Sequence, residues 1–203
     1  MHKLRSRGQH LVAYNDIQSE FPLIIENWFK LYEDTQEVIY LVLNYFKDKY
    51  RFTTDKFIDT VRALESYHRI HYLNERMPRK DFDNLVSNIL DQVNLKKEDF
   101  DWLSQRLISN EPNLKIRIKE LIKKYSSDFI YTHIPNVNKF ARTTTDSRNY
   151  YTHYDIKGKP RALRGRDLSE LTQKNRAIVI SCLLNHVGIK TEYFEEGLQN
   201  NLG

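Results

Sequence analysis

Residues 54–72 read TDKFIDTVRALESYHRIHY, and within them Phe57, Val61, Leu64, His68 and His71 recur at steps of 4, 3, 4 and 3. Those steps follow the 3.6-residue turn, so the five side chains fall on one face of an α-helix. The same period appears on both sides. Upstream, Ile24, Ile25, Trp28, Phe29 and Tyr32 form one run after Pro22, and Val38, Ile39, Leu41, Val42, Tyr45 and Phe46 form another. Downstream come Phe82, Leu85, Val86, Ile89 and Val93, then Phe100, Leu103 and Leu107. A further helix is expected to open at Asn110 with Pro112 in its first turn, carrying Leu114, Ile118, Leu121, Ile122 and Tyr125. No run of alternating residues argues for strands, so the expected fold is an all-α bundle.

The chain of 203 residues is long enough to bury a sizeable core without staples. Only 6 Gly and 5 Pro occur, which disfavours turn-rich β architecture. The single cysteine, Cys182, excludes an intrachain disulfide and a thiolate zinc site. The basic N-terminus MHKLRSRGQHLVAYNDI has no apolar core of a signal peptide, and the longest apolar run, near Val38 to Phe46, is too short to span a bilayer. These features point to a cytoplasmic protein with no membrane association and no required cofactor.

Charge is unevenly placed. From Lys139 to Arg176 there are ten Lys and Arg against four acids, a local excess of 10 − 4 = +6, while the whole chain carries +5. This stretch therefore holds the entire net charge. It reads either as a solvated basic loop or as a phosphate-attracting rim, with Arg142, Arg161 and Arg164 among the candidate contacts. Within it, Thr143-Thr144-Thr145 weakens a helix through β-branching and predicts a kink or break. Lys157 to Arg166 (KGKPRALRGR) predicts a loop, Asp167 with Glu170 a capping-box start, and Gly188 the stop of the last main helix, leaving a short tail.

Two constellations carry chemistry. In Arg148-Asn149-Tyr150-Tyr151-Thr152-His153, Asn149 and His153 are four apart and share a helix face. Arg148 lies about 140° from His153 around an ideal helix, so its long side chain must reach to converge. RNA can be cut when its own 2′-hydroxyl attacks the adjacent phosphorus. That reaction needs a base, an acid and a cation: His serves either proton transfer, Arg offers a fixed positive fork, and Asn orients phosphate or imidazole. One such set lacks a second proton-transfer group, which a twofold dimer would supply. Asp146 and Tyr151 are further candidate supporting or RNA-contacting residues. Tyr150, Tyr151 and Tyr154 fit base stacking, though core packing accounts for them as well.

The second constellation, Glu65-x-x-His68-x-x-His71, has half the spacing of a di-iron bundle, with no second copy in the chain. Its simplest reading is a buried polar network bracing two helices. A functional variant has Glu65 and His68 support Arg148 or His153 from behind. A metal-dependent bundle using Glu65, His68 and His71 is a third alternative. His2, His10, His133 and His186 have no sequence neighbours that suggest chemistry. No Gly-rich phosphate loop, nucleophile elbow or zinc-ligand array is present.

The stretch TTTDSRNYYTHYD, Thr143 to Asp155, resembles the signature of HEPN domains, specifically the Apea-like HEPN group, and ALESYHR, Ala63 to Arg69, resembles that group's second characteristic stretch. The resemblance covers roughly residues 20 to 190. It implies a HEPN-type helical bundle with additional helices that dimerises around the motif helix. It also implies a metal-independent ribonuclease that leaves a 2′,3′-cyclic phosphate, used in antiviral defence or toxin systems. The catalytic residues carried over are Arg148, Asn149 and His153, and the expected partners are RNA, a second copy of the chain, and an antitoxin or sensor domain. Some HEPN toxins carry a nucleotidylated Tyr two positions after the His; Asp155 stands there instead. Some HEPN domains are inactive modules that bind RNA, a nucleotide or a protein. Longer Apea-type proteins have an extra N-terminal domain, so residues 1–19 are expected to be an extension or junction remnant, 20–190 the helical domain, and 191–203 a C-terminal tail.

Overall fold

A computed structural model describes residues 10–47, 52–125, 127–154 and 156–202. All regular structure among them is helical, as the sequence periodicity predicts. The chain divides into two compact units, one built from the chain up to His71 and from Leu114 onward, the other from Tyr72–Asn113.

The larger unit contains α1 (Tyr14–Ile17), α2 (Phe21–Lys47), α3 (Thr54–His71), α6 (Leu114–Tyr125), α7 (Asp128–His133), α8 (Val137–His153), α9 (Gly165–His186) and α10 (Thr191–Leu202). The smaller contains α4 (Arg79–Asp91) and α5 (Lys97–Arg106). α3 is the hub, packed against α2, α6, α8 and α9. Its stripe does what its spacing predicts: Phe57, Val61, Leu64 and His68 are fully buried. Each fully buried aliphatic or aromatic side chain of this kind contributes about 1.5–3 kcal/mol relative to exposure. α9 supplies the opposing wall through Leu168, Leu171, Ile178, Val179 and Cys182.

The two apolar runs before α3 form a single long element with a kink at Thr35, whose φ of −132° and ψ of 28° leave the helical region. Its buried hydroxyl donates to the carbonyl of Leu31, one turn back, a bond that competes with the helical ladder and bends it.

In the smaller unit no residue of α4 or α5 is buried. Its ends are clipped together instead: Arg76 N donates to Asn110 O at 2.7 Å, and Asn110 Nδ2 donates to Met77 O at 2.8 Å. Asn110 therefore does not open a helix; α6 begins at Leu114, beyond Pro112.

Three other local expectations are corrected. α8 runs unbroken through Thr143–Thr145. Thr145 Oγ1 donates to Ala141 O at 2.8 Å, and Thr144 is buried facing Asn175 Oδ1 at 3.5 Å, so the tertiary packing of α8, chiefly on α6 and α3, outweighs the weak propensity. α9 starts at Gly165, before the supposed cap at Asp167, and Glu170 accepts from Arg166 at 3.1 Å rather than closing a capping box. Gly165 has a φ of +53°, a left-handed conformation that favours glycine. Residues 191–202, read as tail, form α10 with Phe194 and Leu198 buried. A Cβ at Gly197 would lie 2.3 Å from Leu11 O, so the segment after His10 runs directly against α10. Gly188, with a φ of +94°, does end α9 as its sequence position predicts.

Candidate active site

α8 positions the hexad. Asn136 caps its start by accepting from Lys139 N at 2.8 Å. The helix ends at His153, where Tyr154 turns left-handed with a φ of 50°. Beyond it the chain returns along α8. Leu163 N donates to Ser147 Oγ at 3.1 Å, and Tyr151 Oη donates to Leu163 O at 2.8 Å. Ser147 and Tyr151 are one turn apart, so together they grip both polar groups of one backbone residue. This double clamp lays the basic segment beside the hexad.

The result is a pocket of about 330 Å³ lined by Asp146, Asn149, Tyr150, His153, Gly158 and Arg161. Asn149 and His153 thus meet as the four-residue spacing predicts, joined by Asp146 and by Arg161 from the returning segment. Arg148 does not line it. Its NH2 lies 3.6 Å from Glu65 Oε2 on α3, and its NH1 donates to Asn149 Oδ1 at 3.3 Å. The angular offset computed from sequence is real: Arg148 reaches the pocket only through Asn149. Glu65 stands behind Arg148, and it also accepts from Arg69 at 3.3 Å.

The remaining candidates separate. Arg142 is exposed on α8 and lies outside this pocket. Arg164 sits over the Tyr150 ring at 5.8 Å and donates to Lys159 O at 3.4 Å. Tyr151 is half-buried, edge-on to Phe57 at 6.2 Å between ring centroids, and burial raises its hydroxyl pKa. Tyr154 is 65% exposed, so core packing does not account for it. His2 and Asp155 lie outside the described residues.

His68 is not an RNA contact, because it is fully buried. Its Nδ1 lies 3.0 Å from Arg117 NH1 and its Nε2 2.6 Å from Glu120 Oε2, both on α6. Guanidinium can only donate, so Nδ1 accepts and Nε2 carries the proton donated to Glu120. Burial, together with the Arg117 charge, lowers the His68 pKa against the pull of Glu120, which agrees with that neutral form. His71 and His186 belong to a further cluster. The His71 ring is 4.5 Å from both the Tyr67 and His186 rings, and Tyr67 Oη is 3.0 Å from His186 Nδ1. Burial lowers the pKa of both, His71 further opposed by His186 and His186 by Lys124. Glu65, His68 and His71 thus have separate partner sets, and no group of three or more His, Cys, Asp or Glu that could hold a metal occurs among the described residues.

Sequence reasoning missed Ser147, Gly158 and the partners Arg117 and Glu120 on α6, though it did expect a buried network around His68. Only the position of Ser147, one residue before the hexad and one turn before Tyr151, carried a signal.

The model of the Apea-like HEPN family matches residues 58–193. The chain belongs to that family. The match runs from within α3 to the start of α10 and so includes both Ala63–Arg69 and the whole hexad. In this HEPN chain the two stretches are in physical contact through the Glu65–Arg148 pair. No curated protein and no solved structure matches the chain. No helix among the described residues is long and apolar enough to cross a membrane.

Proposed function

We propose that this HEPN chain is a metal-independent endoribonuclease acting as a homodimer, in antiviral defence or as a toxin held by an antitoxin or sensor domain. The observation that carries the reading is the pocket in which His153, Asn149, Asp146 and Arg161 converge. The 2′-oxygen attacks phosphorus as its proton passes to a base. The P–O5′ bond breaks, and the leaving 5′-oxygen takes a proton from an acid. A 2′,3′-cyclic phosphate and a 5′-hydroxyl result. His153 serves as one proton-transfer group and the partner copy's hexad as the other. Asn149 positions the phosphate, Arg161 stabilises the phosphorane, and Arg148 adds its charge on turning from Glu65 towards the pocket, which it otherwise reaches only through Asn149.

RNA should be cleaved in the presence of EDTA to cyclic-phosphate ends, and His153→Ala should abolish cleavage while keeping the wild-type circular dichroism spectrum. Unchanged cleavage by that variant would overturn the assignment.

A second reading, a non-catalytic HEPN module that binds RNA, a nucleotide or a protein, is favoured by one observation: the Arg148 guanidinium faces Glu65 rather than the pocket. It predicts binding without turnover by the wild-type protein.

A further inference from the structure

A second pocket, of about 400 Å³, lies between α8 and α9. It shares a helix face with the first. Asn136, Lys139 and Thr143 line this pocket and Asp146, Tyr150 and His153 line the other. The steps between those six residues are 3, 4, 3, 4 and 3, which is one continuous stripe along α8. Helical rise places the two pocket centres about 15 Å apart. The segment held by the Leu163 clamp borders both, with Gly158 and Arg161 at the hexad pocket and Leu163 at the second.

The lining of the second pocket is mixed. Ile134, Phe140 and Leu171 make an apolar wall, while Lys139, Lys174, Asp167 and Glu170 stand on the rim. Arg166 engages Glu170 at 3.1 Å, whereas none of the other three charged side chains makes an ion pair with another described residue. A small anion gains nothing from Asp167, and a purely apolar ligand gains nothing from three charges. An unstacked nucleotide offers all that this lining matches: a flat apolar face, an N–H edge and a phosphate.

We infer that this pocket is a base-binding subsite for the same single RNA strand whose phosphodiester lies at His153. Phe140 and its neighbours receive the base, Asp167 accepts from the base's N–H edge, and Lys139 and Lys174 hold the adjoining phosphates. The inference rests on the ribonuclease reading of the hexad, and it makes the enzyme sensitive to substrate length and to the base a few nucleotides from the cut.

The test measures binding of labelled strands, 2′-deoxy at the reactive position, to the His153→Ala protein. A strand of about eight nucleotides should bind on the order of tenfold more tightly than a dinucleotide. Lys139→Ala with Lys174→Ala should remove that advantage and leave dinucleotide binding unchanged, and Asp167→Asn should alter the ranking among single-base strands. Equal binding of both lengths, or equal weakening of both by the double substitution, would overturn the subsite. Cleavage by the wild-type protein separates the two readings. Length-dependent binding with no cleavage defeats the ribonuclease and keeps the subsite, while cleavage without length dependence defeats the subsite alone.

Discussion

Two histidine-bearing stretches on neighbouring helices met opposite fates. On α3, His68 continues an apolar stripe and is fully buried, with both ring nitrogens engaged by α6. On α8, His153 is exposed at the helix end and faces a polar pocket. In sequence both are histidines at helical spacing from a polar partner. Spacing assigns residues to a face, but the apolar company of that face decides whether the face meets protein or water. His68 has Phe57, Val61 and Leu64 on its stripe; His153 has Asp146 and Asn149.

The contrast can be broken most sharply by exchanging readouts. His153→Ala should lower cleavage by about a thousandfold, within the range of a lost proton-transfer group, with little change in melting temperature. A melting temperature that fell with activity would return His153 to a structural role. His68→Ala should do the reverse in origin, destabilising the fold by about 3 kcal/mol because Arg117 loses a buried partner, as urea titration would show. A substitution that left stability intact would remove the brace.

Smaller is the effect of acid. His68, His71 and His186 all have folded-state pKa values below 6.5, so below that pH the unfolded chain binds protons that the folded one refuses. Their contribution is fully present above 6.5 and is lost as pH falls through 6.5 toward the lowered folded values. Thermal melts between about pH 8 and pH 5 should show this loss, and His71→Phe should make it shallower. An unchanged pH dependence would contradict the burial argument.

Smallest is Glu65→Gln, which keeps shape and removes the charge facing Arg148. Cleavage should rise by a few-fold without loss of stability, because Arg148 is released towards the pocket. A decrease identifies Glu65 as a residue that aims Arg148, and an increase identifies it as a restraint on it.

Much of the bundle was legible because helical period and core burial coincide, as in Phe57, Val61 and Leu64, and in Gly188 at the end of α9. What escaped was decided by contacts distant in sequence. α10 looked like tail because Phe194 and Leu198 are too few to announce a stripe; they are buried in a helix that packs back on α9. Gly197 revealed nothing alone, since its need for a missing Cβ comes from Leu11. Thr143–Thr145 stayed helical because α8 is packed on α6 and α3. At the site, the four-residue spacing of Asn149 and His153 was legible, and so was the misdirection of Arg148. The pairing of Glu65 with Arg148 was raised as one variant among several, while the pocket wall supplied by Gly158 and Arg161 depended on how the chain returns.

That return is gripped at Leu163 through its backbone amide and carbonyl, by Ser147 and Tyr151. An anchor made of main-chain groups places no demand on the side chains it carries. Mutation can therefore rewrite Lys159 or Arg161 without loosening the clamp. A serine and a tyrosine one turn apart thus hold a cassette whose side chains can change while its backbone stays in place.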